Sequence, residues 1–236
     1  MRVITREVSA IRLVRMWMGS IFKSFVIADG YHIAHINTNR YNRFMNTFKI
    51  IYWLALIAQI IIRAPIDQAR KKEKIAEQRV TSQEKLLVSL LGVGGLLFPL
   101  IYSVTNWLGF ANYTLPAWAG WVGVFFILLA LIVFWRAHAD LKTNWSPSLE
   151  IREKHELITH GIYSTIRHPM YASQWLLVIA QPLLLQNWLA GWLNLGIFIF
   201  FYTLRVRAEE KMMLDTFGEQ YREYMLKTGA VFPKFN

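Results

Sequence analysis

The chain has 236 residues, of which 55% are hydrophobic and 15% aromatic, and its formal net charge is +11. Ordinary soluble domains are less apolar than this. The absence of cysteine excludes disulfides, thiolate metal sites and a cysteine nucleophile. A basic excess suits nucleic acid, but the Lys and Arg residues here fall between apolar runs, where they set membrane orientation. We therefore expect no nucleic-acid partner.

Two long stretches lack Asp, Glu, Lys and Arg altogether: residues 86–135, which number 50, and residues 170–204, which number 35. Uncharged apolar runs of 18 or more residues are typical of membrane spans, because backbone polar groups in lipid must be satisfied within a helix. The sequence therefore predicts an all-α, multi-pass integral membrane protein in contact with membrane lipids.

The first 44 residues are basic and irregular. Within them, "IRLVRMWMGSIFKSFVIA" is compatible with an amphipathic helix on the membrane surface, and equally with a poorly ordered tail. Met45 then opens "MNTFKIIYWLALIAQIII", which begins like a first membrane helix. We therefore divide the chain into an N-terminal extension, 1–44, which a start at Met45 would remove, and a membrane domain, 45–236.

The membrane domain is predicted to contain five spans, at residues 48–62, 86–104, 117–135, 171–186 and 188–204. The last uncharged run is too long for one helix at about 1.5 Å per residue and short for two full spans. Its "QPLLLQNW" places a proline kink in the fourth span and a polar turn at Gln186 and Asn187. We therefore expect the last two spans to form a tight hairpin, followed by a polar C-terminal helix.

Charge predicts the orientation of these spans. Residues 63–85 carry seven Lys or Arg residues, residues 136–167 carry five, and the loop after the second span carries no charge. The positive-inside rule places the basic loops and the C-terminal helix in the cytoplasm. The basic extension would then lie outside, a conflict that a start at Met45 removes. The "GVGG" of the second span is interpreted as close helix packing rather than a dinucleotide loop.

Two polar segments flank the predicted hairpin, "EKHELITHGIYSTIRHPMY" (153–171) and "RVRAEEKMMLDTFGEQYREY" (205–224). Because the hairpin returns, both should meet at one membrane face, where ionisable groups are costly and often functional. Taken singly, the same groups have ordinary interpretations as a helix ion pair, a turn or interfacial aromatics. The predicted site unites His155, Tyr163, Arg167, His168 and Tyr171 with Arg205, Arg207, Glu209 and Glu210.

These segments also fit longer patterns. The first contains H-x-L-[IV]-T-x-G-x-Y-x-x-x-R-H-P-x-Y, and the second contains R-x-R-x-E-E followed by F-G-x-x-Y-x-x-Y. Over residues 144–233 the chain thereby resembles the isoprenylcysteine carboxyl methyltransferase family of integral membrane enzymes. Phospholipid N-methyltransferases and small-thiol S-methyltransferases are looser relatives. The chain departs from the common pattern at Ser173, where a glycine is frequent.

The resemblance implies S-adenosylmethionine as methyl donor, bound without a Rossmann domain and without a metal. It assigns Arg205 to the acceptor side as the catalytic arginine. It assigns donor binding to residues before and after the hairpin: His155, Glu156, Leu157, Ile158, Tyr163, His168, Pro169, Met170, Tyr171 and Glu209. His160 receives no role.

The chemistry agrees with that assignment. Methyl transfer from a sulfonium to a carboxylate or thiolate needs no strong base, so alignment is the protein's main task, worth about 7–11 kcal/mol. An arginine suits a planar carboxylate. We therefore expect carboxyl O-methylation of a lipophilic acid from the bilayer, such as an isoprenylcysteine. The alternatives are phospholipid N-methylation, small-thiol S-methylation, a sterol-type reductase using a nicotinamide cofactor, and a non-enzymatic scaffold that contacts anionic lipids through residues 63–85.

Overall fold

A computed structural model describes residues 38–70, 75–78, 81–144, 150–152 and 156–234. Seven α-helices follow one another in these ranges: α1 (Thr38–Arg70), α2 (Ser82–Gly92), α3 (Phe98–Val104), α4 (Ala117–Leu141), α5 (Pro169–Leu185), α6 (Leu193–Phe217) and α7 (Glu219–Lys227). Two π-helical segments, Val93–Leu97 and Trp188–Trp192, link α2 to α3 and lead into α6. Short 3₁₀ turns lie at Gly109–Ala111, Lys142–Asn144 and Gly161–Ser164.

Four helical stretches in the described part of the chain are long and apolar enough to cross a membrane: Met45–Ala69, Ser82–Val104, Ala117–Leu141 and Trp188–Phe217. They confirm the predicted helical membrane architecture. α5 has 17 residues and is shorter than these four. The prediction of an all-α chain needs one addition, because strands β1 (Ile75–Gln78) and β2 (Glu150–Arg152) pair antiparallel between the helices.

The helix ends differ from the predicted span ends. The first span was predicted to stop at residue 62, but α1 continues through Arg63 and Pro65 to Arg70. Charged residues end an apolar run without ending a helix, since the backbone bonds do not depend on side-chain polarity. α1 also begins at Thr38, inside the proposed N-terminal extension, so the division at residue 45 remains a prediction.

The predicted polar turn lies at Gln186 and Asn187. Gln186 adopts a left-handed conformation with φ 46°, which ends α5. Asn187 then caps the following segment, since its side-chain oxygen accepts the N–H groups of Leu189 and Ala190 at 3.0 and 2.9 Å. Its amide nitrogen donates to the Leu108 carbonyl at 2.8 Å. The reversal is therefore held by a buried side chain.

A second buried amide network lies close to the reversal, between the last turns of α5 and the start of α6. Gln181 donates to the carbonyls of Gly94 and Ala190 at 2.9 and 2.6 Å, and its oxygen accepts from Asn194 at 2.7 Å. Gly94 belongs to a π-helical segment, in which the altered hydrogen-bond frame leaves carbonyls available to side chains. The network therefore joins α5 and α6 to the segment between α2 and α3.

Small residues let these helices approach closely. A Cβ atom at Gly94 would lie 3.0 Å from the Cα atom of Asn194, which agrees with the packing role predicted for "GVGG". On α4, a Cβ atom at Gly120 would lie 2.2 Å from the Phe48 ring of α1. The core where α1, α4 and α5 meet contains the buried residues Phe48, Tyr52, Ile127, Ala130, Leu184 and Leu185.

Replacing Asn187 by alanine should lower the free energy of unfolding by about 2–4 kcal/mol, because it removes a cap and leaves a buried carbonyl without its donor. Thermal unfolding in detergent measures the change. Asn106→Ala is the matched control, since Asn106 is exposed in the neighbouring loop between α3 and α4. Equal melting temperatures for the two variants would contradict the role given to Asn187.

Candidate functional site

A cavity of about 330 Å³ lies where the polar segments before and after the hairpin meet. It lies at the N-terminal end of α5, one helix length from the Gln186–Asn187 turn. Most of the predicted site residues line it: Glu156, Leu157, Ile158, Tyr163, His168, Met170, Tyr171, Arg205 and Glu209. Pro169 is buried at the first position of α5 and does not line the cavity. His155 lies outside the described residues.

The end of α4 shapes the first part of the cavity wall. The carboxylate of Asp140 accepts the N–H of Ile162 at 2.8 Å. Gly161 beside it has φ 60°, and a Cβ atom there would lie 2.1 Å from the Asp140 oxygen, so the turn requires glycine. Asn144 accepts the N–H of Glu156 at 2.9 Å. Sequence reasoning missed Asp140 and Asn144, which anchor the loop through its backbone.

Arg167 fastens this loop to the C-terminal segment. Its backbone N–H donates to the carbonyl of Gly229 at 2.8 Å, and the N–H of His168 donates to Ala230 at 2.9 Å. Its guanidinium donates to the carboxylate of Glu210 at 3.0 and 3.2 Å and to the Thr228 carbonyl. Taken alone, Arg167 could be only one of the basic residues that set membrane orientation. In the structure it lines the cavity and joins the loop to α6 and to the C-terminal segment.

The two adjacent glutamates of α6 have different partners. Glu209 accepts from the Tyr171 hydroxyl at 2.6 Å and lies 3.8 Å from Nε of Arg205. Glu210 is bound by Arg167, and it lies 3.1 Å from Nε2 of His168. Glu209 is thus on the side of the cavity, while Glu210 organises the motif around His168. The ring of His168 is buried between them, 3.8 Å from Glu209 through Nδ1.

Arg205 forms a buried ion pair that the sequence did not reveal. Its side chain is 6% exposed, and its Nη1 contacts the carboxylate of Glu84, which is 9% exposed. Glu84 lies in the first turn of α2, where Thr81 caps the helix by accepting the N–H of Glu84 at 3.1 Å. The T-S-Q-E spacing is that of a capping box, in which the glutamate side chain returns to its own N-cap backbone. Here, however, the Glu84 side chain leaves its own helix and pairs with α6.

Tyr163 carries a hydroxyl suited to a ligand. The side chain is buried and lines the cavity, and its hydroxyl has no hydrogen-bond partner among the described residues. Burial, and then the charge of Glu209, raises the pKa of Tyr163 above its usual value. Its carbonyl accepts from the Tyr224 hydroxyl at 2.6 Å. A neutral, fixed hydroxyl that faces a cavity without a partner is available to donate to a bound molecule.

A second cavity of about 690 Å³ adjoins the first between α1, α2, α5 and α6. The residues that line both cavities are Arg63, Leu91, Tyr171, Gln174 and Phe201. The amides of Gln174 and Gln59 lie across from each other at 3.4 Å. Sequence reasoning missed Gln59 and Gln174, although polar side chains inside apolar helices are a recognised signal. The first cavity therefore continues into the helical bundle.

Comparison with known proteins agrees with this arrangement. Residues 121–215 match the model of the isoprenylcysteine carboxyl methyltransferase family. A protein-S-isoprenylcysteine O-methyltransferase of Tribolium castaneum is 27% identical over 149 residues, which are 56% of this chain and 50% of that protein. A probable protein-S-isoprenylcysteine O-methyltransferase of Oryza sativa subsp. indica is 24% identical over 158 residues, 66% of this chain and 83% of that protein. The Saccharomyces cerevisiae enzyme is 40% identical over 83 residues, 34% of this chain and 33% of that protein.

A solved structure of the eukaryotic intramembrane Ras methyltransferase is 18% identical, with a TM-score of 0.44 over 99% of this chain and 87% of that chain. That likeness is too distant for structural inference. The aligned region of this chain spans half the length of the Tribolium protein and a third of the yeast protein. The family match contains the first polar segment, 153–171, and residues 205–215 of the second, so over residues 121–215 this chain is similar to the isoprenylcysteine carboxyl methyltransferase family.

Proposed function

We propose that this chain is a membrane methyltransferase that uses S-adenosylmethionine to O-methylate the carboxylate of a lipophilic acid, such as an isoprenylcysteine. The observation that supports this most is the meeting of the two motif segments around one cavity, which continues into a second cavity between the membrane helices. A water-soluble donor and a lipid-like acceptor need two such connected compartments.

The donor would be held by the cavity wall nearest the two motifs. S-adenosylmethionine supplies, when bound, an electrophilic methyl group on a sulfonium. Glu209 is 30% exposed on its side chain and can accept charge-assisted hydrogen bonds from an ammonium group. The Tyr171 hydroxyl orients that carboxylate by donating to it. The Tyr163 hydroxyl, which has no hydrogen-bond partner in the described part of the chain, adds a donor in the same wall.

The acceptor would lie where the two cavities join. Arg205 lines the first cavity and carries the fork of N–H donors that suits a carboxylate. Tyr171 and Gln174 line both cavities and would border the transferred methyl group. Because a carboxylate is already nucleophilic, the protein needs to hold and align it and needs no base to deprotonate it. Closing both ligands inside helices also excludes competing water.

The membrane arrangement completes the proposal. We infer that α5 is the fourth of five membrane segments, despite its 17 residues, because it is continuous through a buried turn with the segment that follows. Arg63 and Arg167, which belong to the two basic stretches of the sequence, line the first cavity, so the positive-inside rule would place the site and α7 on the cytoplasmic face. Residues 45–236 would form the catalytic domain, surrounded by membrane lipids.

An acceptor screen tests this function. Purified protein in detergent, supplied with tritiated S-adenosylmethionine, should label a prenylcysteine analogue and leave phosphatidylethanolamine and small thiols unlabelled. Labelling of phosphatidylethanolamine or of a thiol would shift the assignment to N- or S-methylation. Binding of NADPH without binding of S-adenosylmethionine would contradict methyl transfer altogether.

Glu209→Gln should weaken S-adenosylmethionine binding by roughly 10- to 150-fold, because a hydrogen bond to a charged group contributes about 1.5–3 kcal/mol and the amide keeps the size but loses the charge. Calorimetric titration measures the Kd. Glu219→Gln on exposed α7 is the matched control and should bind as the unchanged protein does. Equal Kd values for the two variants would remove Glu209 from the donor site.

Arg205→Lys should lower kcat/KM for the acceptor by roughly 100-fold and leave the donor Kd within about twofold. Lysine keeps the positive charge beside Glu84, so the buried pair survives, but it lacks the planar fork that aligns a carboxylate. Initial rates against acceptor concentration, with donor saturating, give the change. A matching loss of donor affinity would assign Arg205 to the other ligand.

A further inference from the structure

We propose that Glu84 is the positioning residue of Arg205: by holding the guanidinium from behind, it determines how Arg205 faces the acceptor. The inference rests on the proposed function, in which Arg205 binds the acceptor. Glu84 lies outside residues 121–215, the region that matches the family. It comes from α2, an element that neither motif segment contains.

The first support is geometric. Glu84 contacts Nη1 of Arg205, yet Glu84 lines neither of the two cavities described above, whereas Arg205 lines the first. The carboxylate therefore lies behind the guanidinium, on the side away from the ligand. A group in that place acts on the ligand only through the arginine.

The second support is electrostatic. Arg205 has Glu84 on one side, and on the other Glu209 lies 3.8 Å from its Nε. Two carboxylates around one buried cation fix its orientation more narrowly than one could, because guanidinium–carboxylate contacts are planar and directional. Glu209 is partly exposed and, in the proposed function, binds the donor. Glu84 is then the partner available to Arg205 throughout the reaction.

The third support is the partner of the Glu84 side chain, which is not the one expected from its position in α2. A glutamate three residues after a capping threonine normally returns to the N-cap backbone. The Glu84 side chain pairs instead with a residue 121 positions later in the chain. One oxygen of its carboxylate, Oε2, is buried with no hydrogen-bond partner among the described residues. A buried charge in this state is costly, which argues for a functional requirement rather than a contribution to stability.

The experiment compares Glu84→Gln with the unchanged protein in acceptor kinetics and in donor titration. Glutamine keeps the shape and can still accept from Nη1, so the variant should fold. The acceptor KM should rise roughly tenfold, because the guanidinium loses its anionic partner and keeps only a weaker bond to a neutral amide oxygen, while the donor Kd changes less than about twofold. Glu219→Gln is the control for loss of an exposed carboxylate. Glu84→Ala, if it folds, should raise the acceptor KM more than Glu84→Gln does.

A double-mutant cycle separates positioning from mere stability. If Glu84 acts through Arg205, Glu84→Gln should change the acceptor KM by less than about twofold when introduced into Arg205→Lys. Additive effects in the two backgrounds would overturn the inference, and so would an unchanged KM in Glu84→Gln accompanied by a lower melting temperature. If the protein without any substitution methylates no acceptor, the proposed function itself is wrong. That result is distinct from the two outcomes that would overturn only the role of Glu84.

Discussion

A chain that reverses direction among apolar helices must satisfy the backbone groups at the reversal, since neither lipid nor a dry core supplies partners. In this molecule that requirement is met at Gln186 and Asn187. Asn187 caps the returning segment and binds the neighbouring loop, while Gln186 accepts the N–H of Leu115 at 3.0 Å. With the turn secured by two side chains, α5 and α6 return side by side. The polar segments before and after them are thereby brought to the same place.

At the other end of the hairpin, where the cavity lies, buried charged groups must also find partners. Buried ions are stable only when they are paired and hydrogen-bonded. Arg167 is paired with Glu210, and Arg205 is paired with Glu84 and approaches Glu209. The Arg167–Glu210 pair therefore joins the loop to α6, and the Arg205–Glu84 pair joins α6 to α2. Each of these ion pairs therefore joins two of the elements that surround the cavity.

Much of this arrangement could be predicted from the sequence, because it follows from patterns along the chain. Uncharged runs predicted the membrane helices, and a proline followed by Gln-Asn predicted the reversal. The convergence of Tyr163, Tyr171, Arg205 and Glu209 then followed from topology alone. Helix ends were predicted less well, since α1 passes Arg63 without interruption: a change of polarity marks the edge of an apolar run, not the end of a helix.

The missed residues share a different property. Asp140, Glu84 and Gln59 contact the site from α4, α2 and α1, and their positions depend on how those helices pack rather than on any motif. All-apolar helices have weak periodicity, so the sequence does not tell which face turns inward. Only the structure could show that a capping-box glutamate reaches α6. The same is true of the strands β1 and β2, which pair across 72 or more residues.

The predicted residues and the missed residues also lie around different parts of the site, which have different proposed ligands. The residues that the motifs contain surround the cavity proposed for the donor, a molecule common to many methyltransferases. Those contributed by α1 and α2, among them Gln59, Arg63 and Glu84, surround the second cavity or stand behind Arg205. They come from the part of the chain before residue 121, outside the family match. Under the proposed function, donor binding therefore belongs to the shared C-terminal hairpin. The choice of acceptor belongs to the helices that precede it, which is why the motifs predict the type of reaction more sharply than they predict the substrate.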